Sequence, residues 1–286
     1  MFQIPVNRRN EPMNSRFWSS LALRAGGIAV LLQVGVRMFE RANLYHPSSA
    51  IRQTPADAGL AHEDVRITAE DGVRTQAWWI PRADARGTLI AFHGNAETIG
   101  DLVRVASVWN ARGAQVLLAE YRGYGNSEGR PSEQGFYRDA RAAFDFVRDR
   151  DGDRPRPIIV YGRSLGAAVA ARLAVDRPVD GVVMESGFAS TRHMARALFP
   201  GLPVGWLLRE RYEVISLMPR IRAPVLIAHS PDDEMVPLEQ AQLNYEAATA
   251  PKRFIPLAGG HNDGFTPAHR KFEEEQDRFA GEIFGP

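Results

Sequence analysis

The feature that most constrains the fold of this chain is an alternation of short apolar runs with amphipathic helical segments. The apolar runs occur at 87–92, 114–119, 157–161, 181–184, 224–228 and 252–257. Because each run is short and apolar almost throughout, it suits a strand that is buried on both faces of a parallel sheet. The segment between the second and third runs has an apolar face at helical spacing, made by Phe136, Ala140, Ala143, Phe144 and Val147. Strands and helices in this order predict a doubly wound α/β sheet, whose ligand site lies at the carboxyl ends of its strands.

Two runs of alternating polarity, at 64–69 and 73–80, precede the first buried run. They flank Asp71-Gly72, a dipeptide typical of tight turns, and they therefore predict an antiparallel hairpin. Together with the six buried runs, the hairpin gives a mostly parallel sheet of eight strands.

One segment, 188–222, is too long for a simple connection between two strands, and we interpret it as a short, lid-like insertion. It carries a cluster of large apolar residues: Leu198, Phe199, Leu202, Val204, Trp206, Leu207 and Leu208. The alternative is that these side chains are buried against the sheet, as small satellite clusters commonly are.

The composition excludes several classes of function. With 35 basic and 34 acidic residues the formal net charge is +1, so the chain lacks the strongly basic character expected of a nucleic-acid-binding domain. The sequence contains no cysteine, which excludes disulfides, thiolate catalysis and cysteine-ligated metals.

The segment 17–36 reads FWSSLALRAGGIAVLLQVGV and is mostly apolar, although Arg24 and Gln33 interrupt it. Its length just reaches the roughly 20 residues that a spanning helix needs. Arginines precede and follow the segment in nearly equal number, so the charges do not define its orientation. We expect an uncleaved single-pass membrane anchor here. The alternatives are an interfacial helix and a helix that packs on the rest of this chain, which would then be a cytoplasmic protein.

The pentapeptide GRSLG at 162–166 directly follows the third buried run and opens a helical segment, LGAAVAARLAV. G-x-S-x-G between a strand and a helix is the pattern of a nucleophile elbow. Side chains at Gly162 and Gly166 would collide with the neighbouring strand and helix. Ser164 is therefore the candidate nucleophile. The alternative is a tight turn with an incidental serine.

A serine nucleophile needs a general base, and the base needs an orienting acid. The chain has seven histidines: His46, His62, His93, His193, His229, His261 and His269. Only His261 follows the last strand in a glycine-rich turn, which makes it the candidate base. The acid is expected on the loop after run 224–228. We favour Asp233 there and retain Asp232 as the alternative, because residue order alone does not decide between them.

Acyl transfer also needs two backbone N–H groups to stabilise the developing oxyanion. The residue after the nucleophile, Leu165, is expected to supply one of them. The loop after run 87–92 is expected to supply the other, from Asn95. This loop and the elbow are predicted independently of each other, and they meet at the same edge of the sheet.

Several segments resemble the α/β-hydrolase superfamily: HGNAET (93–98), EYRGYGNSEG (120–129), YGRSLGAAVA (161–170), APVLIAHSPDDEMVP (223–237) and GGHND (259–263). More narrowly they resemble its small membrane-anchored branch, which includes fungal bud-emergence-type proteins and animal depalmitoylating serine hydrolases. The insertion FPGLPVGWLLRERYE and the lead-in NLYHPS are similar to that branch too. Glu120 and Ser230 depart from it, since the family usually has Asp and Gly there.

The resemblance covers the chain from about Leu44 to the C terminus, and it implies a role for each candidate residue. It implies Ser164 as nucleophile, Asp233 as acid and His261 as base, with the Asn95 and Leu165 amides as oxyanion hole. We accordingly expect a basic segment and anchor helix over 1–43 and an α/β-hydrolase domain over 44–286, with the insertion at 188–222.

These observations predict a serine hydrolase that cleaves carboxylic esters or thioesters of small or lipophilic acyl substrates through an acyl-enzyme. The insertion is then expected to cover an acyl pocket. We expect a small-molecule acyl substrate, no metal or organic cofactor and no nucleic-acid partner. Two alternatives remain: a serine peptidase or amidase that uses the same three residues, and a catalytically slow receptor or scaffold with the same fold.

Overall fold

The structure, a computed structural model, describes residues 15–206, 208–263 and 270–285. Its centre is a single sheet of eight strands. In chain order these are β1 (Glu63–Thr68), β2 (Arg74–Ile80), β3 (Gly87–Phe92), β4 (Ala114–Ala119), β5 (Ile158–Arg163), β6 (Gly181–Glu185), β7 (Val225–His229) and β8 (Lys252–Pro256). The bounds lie within two residues of those predicted from the apolar runs.

The strands are arranged in the order β1-β2-β4-β3-β5-β6-β7-β8. Strand β2 pairs antiparallel with both β1 and β4, and every other pairing is parallel. Phe92 at the end of β3 lies opposite Ala119 of β4 and Gly162 of β5, so the carboxyl ends of these strands share one edge. The predicted doubly wound, mostly parallel sheet is confirmed.

The described helices are α1 (Ser15–Asn43), α2 (Val103–Ala111), α3 (Glu133–Asp151), α4 (Leu165–Asp176), α5 (Thr191–Leu198), α6 (Val214–Leu217), α7 (Leu238–Ala247) and α8 (Arg270–Phe284). Helices α2 and α8 cover one face of the sheet, where Trp109 and Phe279 are buried. Helices α3 and α4 cover the other face, where Phe136 and Val169 are buried. Burial of each large apolar side chain contributes about 1.5–3 kcal/mol.

Helix α3 illustrates how the local sequence defines an element. Ser132 caps its first turn, because the hydroxyl oxygen accepts a hydrogen bond from the Gly135 amide at 3.1 Å. Gly152 follows its last residue with a φ of +56°, a conformation that favours glycine. The five apolar residues predicted to share one face are all buried.

Helix α1 contains the apolar segment for which a membrane anchor was expected. Among the helices of the described ranges, none is long and apolar enough to cross a membrane, so the expected single-pass anchor is not supported. Arg24 and Gln33 are the polar interruptions within the segment. Near the C-terminal end of α1, the Glu40 carboxylate accepts hydrogen bonds from the amides of Arg209 and Glu210, at 2.6 and 3.3 Å.

The insertion between β6 and β7 contains α5, α6 and short 3₁₀ turns at Pro203–Trp206 and Met218–Arg220. Three large side chains of its apolar cluster are 60–69% exposed: Leu198, Leu202 and Trp206. The alternative that the cluster is buried against the sheet is therefore wrong for these three residues. The Trp206 ring instead lies 4.9 Å from the Arg192 guanidinium. Leu207 and the side chain of Val204 lie outside the described part of the chain.

Candidate active site

Ser164 occupies the turn between β5 and α4, at the carboxyl edge of the sheet. Its φ of +53° is strained for a residue with a side chain. The backbone around it is closely packed, because a Cβ at Gly162 would lie 2.0 Å from the Gly166 carbonyl oxygen. A Cβ at Gly166 would lie 2.2 Å from the Phe92 carbonyl oxygen. Both glycines of the motif are therefore required for this turn.

His261 is brought to Ser164 from the loop after β8. Its Nε2 lies 3.1 Å from Ser164 Oγ, and its Nδ1 lies 2.7 Å from Asp233 Oδ2. Since a carboxylate only accepts hydrogen bonds, Nδ1 carries the ring proton and donates a hydrogen bond to the Asp233 carboxylate. Nε2 of the neutral ring is then free to accept the Ser164 hydroxyl proton. The imidazole and the Asp233 carboxylate are both buried.

Asp233 is fixed within its own loop. Its Oδ1 accepts hydrogen bonds from the amides of Met235 at 3.0 Å and Val236 at 2.7 Å. The neighbouring Asp232 is exposed, and its amide donates to Ser230 Oγ at 3.1 Å. The structure thus brings Asp233, and not Asp232, to His261.

The ionisation of Asp233 follows from these contacts. Burial disfavours the charged carboxylate, but the hydrogen bonds from His261 and from the two amides outweigh burial and lower the pKa of Asp233. The group is therefore ionised at neutral pH and can orient the imidazole. Nearby, burial lowers the pKa of His229, whose Nε2 is 2.8 Å from the Val236 carbonyl oxygen.

The loop after β3 passes beside Ser164, because a Cβ at Gly94 would lie 3.5 Å from Ser164 Cβ. Within the described ranges, the amides of Asn95 and Leu165 donate to no carbonyl or side chain. The Asn95 side chain is held firmly. Its Nδ2 donates to the Leu44 carbonyl at 2.8 Å, and its Oδ1 accepts from the Tyr124 hydroxyl at 2.7 Å.

The remaining histidines make other contacts. His93 is buried, with Nε2 paired to the Glu120 carboxylate, and His193 is 2.7 Å from Ser190 Oγ. His62 packs edge-on against Trp78, His46 is exposed, and His269 lies outside the described residues. Where the structure describes the chain, no three acidic or histidine side chains lie close enough together to hold a metal ion.

The two departures from the family pattern also have structural roles. Glu120 accepts hydrogen bonds from the amides of Ile99 and Tyr121 at 3.1 Å each, in addition to pairing with His93. Ser230 Oγ donates to the Gly259 carbonyl, which joins the Asp233 loop to the His261 loop. No local sequence pattern predicts the contact between Ser230 and Gly259, because the two residues lie in different loops.

Arg163 and Glu97 are site residues that the sequence analysis did not single out. The Arg163 guanidinium forms an ion pair with Glu97 and donates to the His261 carbonyl at 2.7 Å. The one signal that pointed to Arg163 is its position next to the nucleophile.

Comparison with known proteins places this chain in a family. The profile of a family described as "Serine aminopeptidase, S33" matches residues 83–210. The chain is 35% identical over 249 residues to the uncharacterized protein Rv2307c of Mycobacterium tuberculosis, covering 85% of this chain and 89% of that protein. It is 33% identical to the α/β hydrolase domain-containing protein WAV2 of Arabidopsis thaliana, covering 81% and 83% of the two chains. The uncharacterized membrane protein YNL320W of Saccharomyces cerevisiae is 31% identical, with coverage of 86% and 92%.

The fold is also similar to that of a solved enzyme. The esterase Pf2001 of Pyrococcus furiosus superposes with a TM-score of 0.72 and 22% sequence identity, covering 84% of this chain and all of the esterase. At this identity the likeness concerns the fold alone. The eight-stranded sheet, the serine at the strand–helix turn and the relatives together define the class: the chain belongs to the α/β-hydrolase family.

Proposed function

We propose that this protein is a serine hydrolase that cleaves carboxylic esters or thioesters of small or lipophilic acyl groups through a covalent acyl-enzyme. The observation that carries the proposal is the continuous chain of contacts from Ser164 Oγ through the His261 imidazole to the Asp233 carboxylate. A serine, a histidine and a buried carboxylate in this arrangement have the geometry of an activated nucleophile.

In the acylation half-reaction, His261 Nε2 accepts the Ser164 hydroxyl proton as Oγ attacks the carbonyl carbon of the substrate. The carbonyl oxygen becomes an oxyanion and accepts hydrogen bonds from the amides of Asn95 and Leu165. Asp233 stabilises the imidazolium that forms. When the tetrahedral intermediate collapses, the bond to the leaving alcohol or thiol breaks, and His261 donates its proton to that leaving group.

Deacylation repeats these steps with water as the nucleophile. His261 removes a proton from water as its oxygen attacks the acyl carbonyl. Collapse of the second tetrahedral intermediate releases the carboxylic acid, and the proton returns to Ser164 Oγ. The substrate, one water molecule, and the side chains and backbone amides of the site account for every bond and proton in the two half-reactions.

The preference for lipophilic acyl groups rests on the insertion. This segment begins directly after β6, whose carboxyl end lies at the same edge of the sheet as Ser164. Its exposed Leu198, Leu202 and Trp206 supply apolar surface for an acyl chain.

An amidase or aminopeptidase is the second candidate, because the matching family is described as a serine aminopeptidase. Recognition of a free amino terminus would need an available carboxylate near Ser164. Three carboxylates of the site already have partners: Glu97 pairs with Arg163, Glu185 accepts from the Tyr161 hydroxyl, and Glu234 accepts from the His261 amide. These three contacts weigh against an ammonium-binding site at these carboxylates.

The test uses the full-length chain with p-nitrophenyl esters of increasing acyl length and with aminoacyl p-nitroanilides. Wild type is expected to hydrolyse the esters with an optimum in chain length, and Ser164→Ala is expected to lose this activity. Ser216→Ala, which alters an exposed serine of the insertion, is the matched control and should retain it. Anilide cleavage exceeding ester cleavage would favour the aminopeptidase. Equal ester activity in Ser164→Ala would contradict the proposal, and a folded wild type inactive on both substrates would favour a receptor or scaffold.

A further inference from the structure

The side chain of Arg163 connects two loops and the end of β6 at the carboxyl edge of the sheet. It is mostly buried, with 12% of its side-chain surface exposed. One terminal nitrogen pairs with the Glu97 carboxylate, and the other donates to the His261 carbonyl at 2.7 Å and to Asn262 Oδ1 at 3.3 Å. Nε lies 3.6 Å from the Glu185 carboxylate at the end of β6.

The contact with Glu97 reaches the loop that carries Asn95. The second oxygen of the Glu97 carboxylate accepts a hydrogen bond from the Gly94 amide at 2.6 Å. Ala96 in the same loop has a φ of +58°, which is strained for a residue with a Cβ. A strained conformation persists only where its surroundings hold it, and the Glu97 carboxylate, itself held by Arg163, provides such a restraint.

The contact with His261 reaches the loop that carries the imidazole. The His261 carbonyl accepts from Arg163, and its amide donates to the Glu234 carboxylate at 3.0 Å. Both backbone polar groups of His261 are thus held, while its two ring nitrogens face Ser164 and Asp233. Arg163 touches neither ring nitrogen, so its effect on the imidazole acts through the backbone.

We infer that Arg163, which occupies the first variable position of the G-x-S-x-G motif, is a positioning residue. Through Glu97 it couples the loop that carries Asn95 to the loop that carries His261. The inference rests on the proposed function and deepens it. A planar guanidinium can satisfy partners in several fixed directions at once, whereas the ammonium of lysine is a single compact charge. The side chain at this position therefore determines whether the Asn95 amide and the His261 imidazole are aligned with Ser164 at the same time.

The test compares kcat and KM for a short p-nitrophenyl ester in Arg163→Met, Arg163→Lys, Glu97→Gln and the Arg163→Met/Glu97→Gln double variant. Each single variant is expected to lower kcat about 10- to 100-fold, the scale of a misaligned site or a weakened oxyanion hole. KM is expected to change less than about threefold, because ground-state binding does not depend on this alignment. Lysine is not expected to restore kcat.

The double variant tests the coupling itself. If Arg163 and Glu97 act as one unit, the double variant is expected to be no slower than the slower single variant. Arg141→Met is the matched control, since Arg141 forms ion pairs with Asp176 and Glu70 on another part of the surface. It should retain wild-type kcat. Circular dichroism and thermal unfolding establish that each variant is folded.

A kcat of folded Arg163→Met within about twofold of wild type would overturn the inference, and so would losses that multiply in the double variant. If Arg163→Met does not fold, Glu97→Gln carries the test by the same criterion. Failure of the proposed function would give a different result: the ester activity of Ser164→Ala would match that of wild type, or wild type would be inactive. An active wild type, an inactive Ser164→Ala and a fully active Arg163→Met would contradict the positioning role alone.

Discussion

The His261 imidazole donates to the Asp233 carboxylate across 2.7 Å, while the adjacent Asp232 is exposed to solvent. Asp233 receives two further hydrogen bonds from its own loop, so the carboxylate is held by contacts other than the imidazole. Two neighbouring residues of the same type therefore differ completely in what they can do.

Asp233→Asn is expected to lower kcat by about 10⁴-fold, because the amide no longer holds the imidazole in the tautomer that leaves Nε2 free. Asp232→Asn, at the exposed neighbour, is expected to leave kcat within about twofold, as for a surface substitution. Steady-state ester hydrolysis measures both. A larger loss of kcat in Asp232→Asn than in Asp233→Asn would show that Asp232, and not Asp233, is the acid.

His261→Ala is expected to lower kcat by about 10⁴- to 10⁶-fold, since Ser164 then has no general base. His229→Gln serves as the comparison, because His229 is buried beside Asp233 but its Nε2 faces the Val236 carbonyl. Its loss is expected to be at least 100 times smaller than that of His261→Ala. Comparable losses in the two folded variants would argue against His261 as the base.

Gly166→Ala is expected to destabilise the protein by more than the roughly 1–3 kcal/mol typical of overpacking, because the new Cβ would meet the backbone carbonyl of Phe92. Gly281→Ala is the control. It lies exposed in α8 with nothing within 4 Å of its Cβ position, so it should stabilise by about 0.5–1 kcal/mol. Urea unfolding gives both values, and equal changes would contradict the close packing at the elbow.

Asp71 gives an expectation for pH dependence. Hydrogen bonds from Arg122 lower the pKa of Asp71 from 3.8 to about 2 in the folded protein. Because the folded pKa is below the unfolded one, the ionised carboxylate stabilises the fold above about pH 3.8, and this contribution is lost as the pH falls towards 2. Because Asp71 is exposed and solvent screens its ion pair, Asp71→Asn should cost about 0.5–1 kcal/mol at pH 7 and less at pH 3. Urea unfolding at the two pH values tests this, and a deficit that is independent of pH would be inconsistent with the ion pair.

Much of this architecture follows from local sequence. Buried strands of a parallel sheet are continuous apolar runs, so their positions were predicted within two residues. The nucleophile elbow is equally predictable from the sequence, because the close approach of strand, nucleophile and helix requires glycine at positions 162 and 166. The position of His261 followed from the order of strands, because only one histidine comes after the last strand in a glycine-rich turn.

Other features depend on contacts between distant loops. Asp232 and Asp233 could not be ranked by order alone, since the choice depends on which carboxylate the amides of Met235 and Val236 reach. The Arg163 contacts join residues that are 66 and 98 positions away in the chain, and no local pattern encodes them. The apolar residues of α1 suggested a membrane anchor, but apolar composition alone does not establish a spanning helix.

The proposed chemistry depends on Ser164 acting as the nucleophile. The most direct measurement is covalent labelling of the full-length protein with a fluorophosphonate, followed by mass spectrometry of its peptides. Wild type is expected to gain one phosphonyl group, located on Ser164 within the peptide that contains GRSLG. Ser164→Ala should remain unlabelled. A label on a different residue, or equal labelling of Ser164→Ala, would contradict the account.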